Sequence, residues 1–261
     1  MSGTKVLALP VLGRHNVNAY LLLGRRPVIV DAGIPGAAQR IHDQVVRYGV
    51  DPADVALIVL THGHIDHFGS AAELRRMIGA PVAGHVADLV SYRTGRVREP
   101  YLPTGPFGRA LAMNKALHAS VETVEPDVHL TGELDLSDYG IDGRIMPTPG
   151  HTAGSVSVLT ATGDLVAGDL VSGSFMGLIP GKPANPPFHD DPQRNLASLR
   201  TMLALKPTAL HVGHGGPLAP DAVARWVVRE QHRLDKLQAN GRLVRRPHDD
   251  EQSTVDHPTI H

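Results

Sequence analysis

The feature that most constrains this chain is an apolar run at residues 55–60 that ends in a dense group of polar side chains. A strand without alternating polar residues is typical of a sheet covered by helices. The polar group reads Thr61-His62-Gly63-His64-Ile65-Asp66-His67. In α/β proteins, ligands favour the carboxyl ends of strands. The segment therefore predicts an α/β fold with a functional site where this strand ends.

The rest of the chain alternates between short apolar runs and amphipathic segments. Strands are predicted at 4–9, 18–23, 28–30, 155–160, 165–167 and 208–212, with two more candidates within 128–147. Helices are predicted at 36–48, 66–77, 191–205 and 220–238, the third capped by Asp191 with Pro192 at its first position. We expect 91–120 to be an inserted loop with one short helix and 171–189 to be a Gly/Pro-rich loop. Residues 1–239 would then form one domain, followed by a flexible polar tail at 240–261.

A strand–helix–strand pattern occurs twice. The strand at 28–30 ends in Asp31, and the strand after the next helix ends in Thr61-His62. The strand at 165–167 leads to Asp169, and the strand after the next helix ends in Gly213-His214. Two such units facing each other would place Asp31, His62, Asp169 and His214 along one edge.

The composition excludes several classes of protein. The 261 residues include no cysteine, so disulfides and thiolate zinc sites are impossible. A formal net charge of −1 without a long basic run offers no electrostatic basis for binding nucleic acid or anionic lipid. No apolar stretch approaches the ~18 residues of a membrane helix, and the first ten residues do not resemble a secretory signal. We therefore expect a cytoplasmic protein with a small-molecule substrate.

The histidine-rich group has the spacing of a metal site. In an extended chain, side chains two positions apart point the same way, so His62 and His64 can converge on one ion. Asp66 and His67 lie where the chain turns into a helix, so their side chains can face a second position beside that ion. Zinc takes about four donors, so further ligands are needed. The candidates are His151 between glycines, Asp169 after a strand and His214 after a strand. Each of these three alone has an ordinary explanation as a turn, cap or surface residue; their joint occurrence favours ligands.

Taken in order, these residues resemble the metallo-β-lactamase superfamily over roughly residues 17–216. The resemblance implies a four-layer αβ/βα sandwich, with two mixed sheets flanked by helices and two halves related by duplication. It also implies a site of two metal ions. One ion would be held by His62, His64 and His151, and the other by Asp66, His67 and His214. Asp169 would bridge the ions, and Asp31 would support the ligand loop through hydrogen bonds.

The resemblance further implies the chemistry. Two ions, zinc first and iron or manganese as alternatives, would share a hydroxide that cleaves an ester, thioester or lactone bond. Asp66 is the expected catalytic residue, because it would orient this nucleophile. Antibiotic-hydrolysing members of the superfamily usually carry Cys or Ser where this chain has Asp169. In this respect the chain is more similar to glyoxalase II, thioesterases, lactonases and phosphodiesterases. The run Leu170-Val171-Ser172 lacks the Tyr common in acyl-homoserine lactonases, and no glutathione-binding set of Arg, Lys and Tyr is evident.

Other functions stay open. A mononuclear iron oxygenase similar to persulfide dioxygenases needs only two His and one carboxylate. A phosphodiesterase, a nucleic-acid-processing relative and a non-catalytic metal-binding protein are further alternatives, which metal analysis and a substrate panel would separate. A homodimer is compatible with the sequence.

Two loops are candidates for contact with the substrate. The 171–189 loop could line an apolar pocket or tuck its side chains in, and its apolar residues are Phe175, Met176, Leu178, Ile179 and Phe188. The insert could bind an acidic group or be a solvated loop, and its basic residues are Arg93, Arg96, Arg98, Arg109 and Lys115. Of the remaining histidines, five are assigned to structural or surface positions: His15, His85, His129, His189 and His211. Among them, His189 lies in the loop nearest the expected metals.

Overall fold

A computed structural model describes residues 3–13, 16–98, 102–113, 119–173 and 179–241. Its strands are β1 (Lys5–Leu12), β2 (Val17–Leu23), β3 (Val28–Val30), β4 (Leu57–Val59), β5 (Val82–His85), β6 (Leu102–Pro103), β7 (Val128–Leu130), β8 (Leu134–Asp135), β9 (Gly143–Pro147), β10 (Val156–Thr160), β11 (Asp164–Gly168), β12 (Ser172–Gly173), β13 (Pro183–Ala184), β14 (Phe188–His189) and β15 (Ala209–Val212). Its α-helices are α1 (Ala38–Arg47), α2 (Ile65–Phe68), α3 (Ala71–Ile78), α4 (Leu89–Thr94), α5 (Pro106–Ala112), α6 (Pro192–Ala204) and α7 (Pro220–Ala239).

Two mixed sheets form the centre of the fold. The first has the order β1-β2-β3-β4-β5-β7, with antiparallel pairing from β1 to β3 and parallel pairing from β3 onward. The second has the order β15-β11-β10-β9-β8, in which only β15 and β11 pair in parallel. The units β3–α1–β4 and β11–α6–β15 are therefore both parallel crossovers, in agreement with the repeated pattern in the sequence.

Three apolar clusters separate four layers. One packs α1 and α3 against the first sheet, through residues such as Ile41, Leu74 and Ile58. A second lies between the two sheets and includes Val59 and Val158. A third packs α6 and α7 against the second sheet. Since β4 has one face in each of two clusters, all three of its residues are buried, which explains its unbroken apolar run. The predicted α/β sandwich with helices on both outer faces is confirmed.

Some local predictions differ from the structure. The helix expected at 66–77 is interrupted between α2 and α3, because the Ser70 hydroxyl accepts from Ala37 N at 2.8 Å and donates to Ile34 O at 2.7 Å. Strand β5 has no counterpart among the predicted strands. On α1, Val46 is 49% exposed rather than packed beside the buried Ile41 and Val45.

The two predicted loops contain more regular structure than expected. The insert carries two helices, α4 and α5, and the short strand β6, rather than one helix. The 171–189 segment contributes β12, β13 and β14. Residues 114–118, 174–178 and the predicted tail from 242 to 261 lie outside the described residues. Within the described ranges, no helix combines the length and hydropathy needed to cross a lipid bilayer.

Candidate metal centre

Three histidines from two loops meet at one point, and we name them the first cluster: His62, His64 and His151. His62 and His64 follow β4, whereas His151 lies in the turn between β9 and β10. Their ring centroids are 4.6 to 4.8 Å apart, and His64 Nδ1 lies 2.9 Å from His151 Nε2. Zinc–nitrogen bonds are about 2.0–2.1 Å long, so only small side-chain shifts are needed for these nitrogens to share an ion.

A second cluster lies beside the first and consists of Asp66, His67 and His214. Asp66 and His67 are on the short helix α2, and His214 follows β15. His214 Nε2 lies 3.3 Å from Asp66 Oδ2, and His67 Nε2 lies 3.9 Å from the same oxygen. The ligand-type atoms of each cluster lie within 4.8 Å of one another.

Asp169 lies between the two clusters, directly after β11. Its Oδ2 is 3.7 Å from His151 Nε2 and 3.1 Å from His214 Nε2, and its Oδ1 is 3.7 Å from His67 Nε2. The approach is so close that a Cβ on Gly213 would lie 2.2 Å from Asp169 Oδ1. The structure thus brings together all seven residues that the sequence indicates as metal ligands.

Asp31 fixes the orientation of two of these histidines. It has a φ of 68°, a left-handed conformation that is uncommon outside glycine. From there its carboxylate accepts His67 Nδ1–H at 2.8 Å, Thr61 N–H at 2.8 Å and the Thr61 hydroxyl at 2.9 Å. Because that hydroxyl donates to Asp31, it can accept from His62 Nδ1 at 3.0 Å. Both rings therefore direct Nδ1 at these oxygens and leave Nε2 for the centre, in agreement with the supporting role expected for Asp31.

A second buried carboxylate, Asp88, is not among the residues that the sequence indicates. It lies just after β5 and accepts from Gly63 N at 2.7 Å, from the Thr152 hydroxyl at 2.7 Å and from Gly154 N at 3.0 Å. One side chain thus ties the loop of His62 and His64 to the loop of His151. The sequence does not indicate Asp88 because strand β5, which brings Asp88 to this edge of the sheet, is not predicted.

His189, on β14, contacts the first cluster from behind. Its Nδ1 lies 3.2 Å from His151 Nδ1, and its ring is buried. Burial lowers the pKa of His189 to about 3, so the ring stays neutral and can accept a hydrogen bond. If His151 binds an ion through Nε2, its Nδ1–H donates to His189. His189 is therefore part of the support of the centre, unlike the other histidines assigned to structural positions.

The electrostatics of the two clusters differ. Burial holds the pKa of His62 and His151 well below the usual value, with neighbouring histidines as a further cause. In the second cluster, burial alone would lower the pKa of His67, but Asp31, Asp169 and Asp66 together raise it to about 9. Burial alone would raise the pKa of Asp169, but His214 and His67 hold it well below its usual range. The first cluster therefore presents neutral imidazoles, whereas the carboxylates around His67 favour its protonated form until a cation takes the place of the proton.

Unsatisfied buried atoms test whether these residues suit a metal. His62 Nε2, His67 Nε2 and Asp169 Oδ1 are buried and have no hydrogen-bond partner. A buried polar atom without a partner costs about 1–3 kcal/mol, so three at one point call for an explanation. All three are donor-type atoms, and the side chains that carry them lie where the two clusters meet. Atoms of this kind bind cations. Imidazole and carboxylate donors suit zinc, iron and manganese.

The other residues singled out by sequence lie elsewhere. His129 pairs with Glu125 at 3.1 Å, and His211 pairs with Asp164 at 2.9 Å, away from the centre. His85 accepts from Ala87 N as a local cap. His15 lies outside the described residues.

Comparison with known proteins agrees with this geometry. The sequence profile of the metallo-beta-lactamase superfamily matches residues 12–214, which is most of the chain. The chain belongs to the metallo-beta-lactamase superfamily. The resemblance predicted from the ligand motif is confirmed.

Curated relatives from this superfamily include hydrolases. The chain is 32% identical to a hydroxyacylglutathione hydrolase of Anaeromyxobacter dehalogenans over 157 residues, which is 60% of this chain and 46% of that protein. It therefore spans less than half of that relative. It is 29% identical to the probable metallo-hydrolase YflN of Bacillus subtilis over 208 residues, covering 73% of this chain and 76% of that one.

Solved structures share the fold. A metallo-beta-lactamase family protein of Thermus thermophilus superposes with a TM-score of 0.64 at 24% identity, covering 90% of this chain and 82% of that chain. A protein solved in a di-iron-bound form superposes with a TM-score of 0.61 at 27% identity, covering 84% of this chain and 98% of that chain.

Proposed function

We propose that this chain is a hydrolase with a two-metal centre that cleaves an ester, thioester or lactone bond of a small molecule. The observation that carries the proposal is the position of Asp169, whose carboxylate lies within 3.7 Å of histidine nitrogens from both clusters. A single carboxylate between two sets of lone-pair donors is the arrangement expected for a ligand shared by two ions.

The first cluster would hold one ion and the second cluster the other, with Asp169 shared between them. Zinc is the metal that we favour, and iron or manganese would fit the same donors. Bound ions would make a water molecule acidic enough to be deprotonated at neutral pH and would polarise the substrate carbonyl.

The residues of the chain prepare the site for this chemistry. Asp66 is the least enclosed ligand-type side chain of the second cluster, with 36% of its side chain exposed. Although its burial alone would raise the pKa of Asp66, His67 and His214 keep it below the usual range, so it is an ionised acceptor. It can orient the attacking water by accepting a hydrogen bond from it.

The experiment is a substrate panel on the purified chain loaded separately with zinc, manganese and iron. We expect turnover of at least one ester, thioester or lactone, and loss of most turnover in Asp169→Ala. Asp43→Ala is the matched control, because Asp43 is an exposed carboxylate on α1. Full metal loading without turnover of any hydrolase substrate would contradict the proposal. Binding of a single iron with oxygen consumption would favour the oxygenase instead.

A further inference from the structure

The metal centre opens into a cavity of about 610 Å³ whose remaining walls are mostly apolar. This volume lies within the range of about 300–1,000 Å³ that is typical of small-molecule sites. One end of the cavity is formed by residues of the two clusters. The walls beyond it are formed by Leu12, Val17, Val97, Phe107, Leu111 and Phe188.

The polar residues of these walls are neutral. Among the described residues that line the cavity, Asn16, Ser172 and Asn185 are polar and none is Lys or Arg. Arg93, from the basic insert, instead pairs with Glu125 at 2.6 and 2.7 Å on the surface. Among the described wall residues, an anionic substituent away from the metal centre would lose its hydration without gaining a cationic side chain as a partner, which is unfavourable.

Helix α5 presents one apolar face to the cavity. Phe107 and Leu111 are four residues apart, so they lie one turn apart on the same side. Phe107 is 46% exposed. An apolar ligand lying along this face would remove aromatic and aliphatic surface from water, which is a favourable change.

The position of α5 relative to the metal centre is fixed by backbone contacts. A Cβ on Gly108 would lie 2.2 Å from Pro187 O, so helix α5 packs directly on the backbone that precedes β14. Thr104 N also donates to Pro187 O at 2.9 Å, and β6 pairs with β14. Since β14 carries His189, which contacts His151, the apolar wall and the first cluster share one support. The described backbone contacts therefore place the apolar wall beside the first cluster.

We propose that the substrate carries an uncharged apolar acyl chain that lies along Phe107 and Leu111 while its carbonyl carbon lies at the metal centre. This inference rests on the proposed hydrolase function and adds the class of acyl group. A methylene group is about as large as a water molecule, roughly 30 Å³. An eight-carbon chain therefore needs about 240 Å³, well within the cavity.

The first test is a chain-length series of p-nitrophenyl esters, from acetate to octanoate, with the zinc-loaded full chain. Each methylene that leaves water contributes about 0.8 kcal/mol, which corresponds to about a fourfold rise in kcat/KM. We expect kcat/KM to rise through octanoate. A p-nitrophenyl ester of the same length that ends in a carboxylate should be at least about tenfold poorer than octanoate, since its charge would be desolvated.

Variants on one helix locate the effect. Phe107→Ala should lower the ratio of octanoate to acetate kcat/KM by about tenfold or more, because a buried aromatic contact is worth about 1.5–3 kcal/mol. Arg109→Ala is the matched control, since Arg109 is exposed on α5 and does not line the cavity. It should keep the wild-type ratio.

A binding measurement separates this inference from the proposed function. In calorimetry with 1-butanol, 1-hexanol and 1-octanol, Kd should fall by about fourfold for each added methylene, and Phe107→Ala should weaken octanol binding. If no ester, thioester or lactone of the panel is hydrolysed but the alcohols show this dependence, the hydrolase proposal fails and the apolar site stands. If turnover occurs with no dependence on chain length, or if Phe107→Ala matches Arg109→Ala in both assays, the inference is overturned.

Discussion

Asp88 offers the sharpest test of how the fold supports the metal centre. Asp88→Asn keeps the shape of the side chain but replaces one acceptor oxygen by an NH₂ group. The wild-type carboxylate accepts from Gly63 N and Thr152 Oγ1 on Oδ2 and from Gly154 N on Oδ1. An Asn in the same position leaves at least one of these donors facing the new NH₂ group.

The magnitude follows from these contacts. One buried donor left without a partner costs about 1–3 kcal/mol, and hydrogen bonds to a neutral oxygen are weaker than those to a carboxylate. We therefore expect the free energy of unfolding of the metal-free protein to fall by about 2–4 kcal/mol. Because Asp88 joins the two loops of the first cluster, zinc affinity should also fall, by about 10- to 100-fold.

The assays are urea denaturation of the metal-free chain and competition with a chelator for zinc. Asp43→Asn is the control, because this substitution makes the same chemical change on an exposed part of α1. It should leave both quantities near the wild-type values. If Asp88→Asn is fully folded under the assay conditions and its zinc affinity is unchanged, this carboxylate does not position the ligand loops.

Two further predictions concern the ligands themselves. His189→Ala should weaken zinc binding about tenfold, because it removes the acceptor for His151 Nδ1. In His189→Gln, part of the affinity should be retained. Equal zinc affinity in the wild type and both variants would contradict this role. Ligands must lose their protons to bind, and the pKa of His67 is raised to about 9 whereas that of His62 is lowered by burial. When the pH is lowered from 8, the ion of the second cluster should therefore be released before the ion of the first cluster. Asp66→Ala should show only the second of these two release steps. Two release steps in Asp66→Ala would contradict the assignment of Asp66 to the second cluster.

The parts of this protein that the sequence predicts well are those with strong local signals. The buried strand β4 has a continuous apolar run because both of its faces are covered, and the ligand group follows it immediately. Helix α6 begins at Pro192 after Asp191, whose carboxylate accepts from Gln193 N and Arg194 N as the capping pattern predicts. These features depend on residues that are neighbours in the chain.

The parts that the sequence does not predict depend on distant contacts. Asp88 meets Gly63 and Gly154 only after the two sheets have packed together, so no local pattern marks it. The orientation of α5 depends on the approach of Gly108 to Pro187, and neither residue alone indicates it. For the same reason, the sequence leaves two interpretations of the insert, a solvated basic loop and a binding element.

The loops near the centre illustrate a further limit. Phe188 of the 171–189 segment lines the cavity, whereas Ile179 is exposed at 51%. Both are apolar residues of one Gly/Pro-rich segment, so composition could not separate them. Phe175, Met176 and Leu178 lie outside the described residues.

The most direct test of the central claim is the metal content of the purified chain, measured by mass spectrometry after loading with zinc and removal of excess metal. We predict about two ions per chain in the wild-type protein and in Asp43→Asn, and about one or fewer in Asp169→Ala, because Asp169 would be shared by both ions. A wild-type protein that never holds more than one ion, or an Asp169→Ala protein that keeps two, would contradict the account.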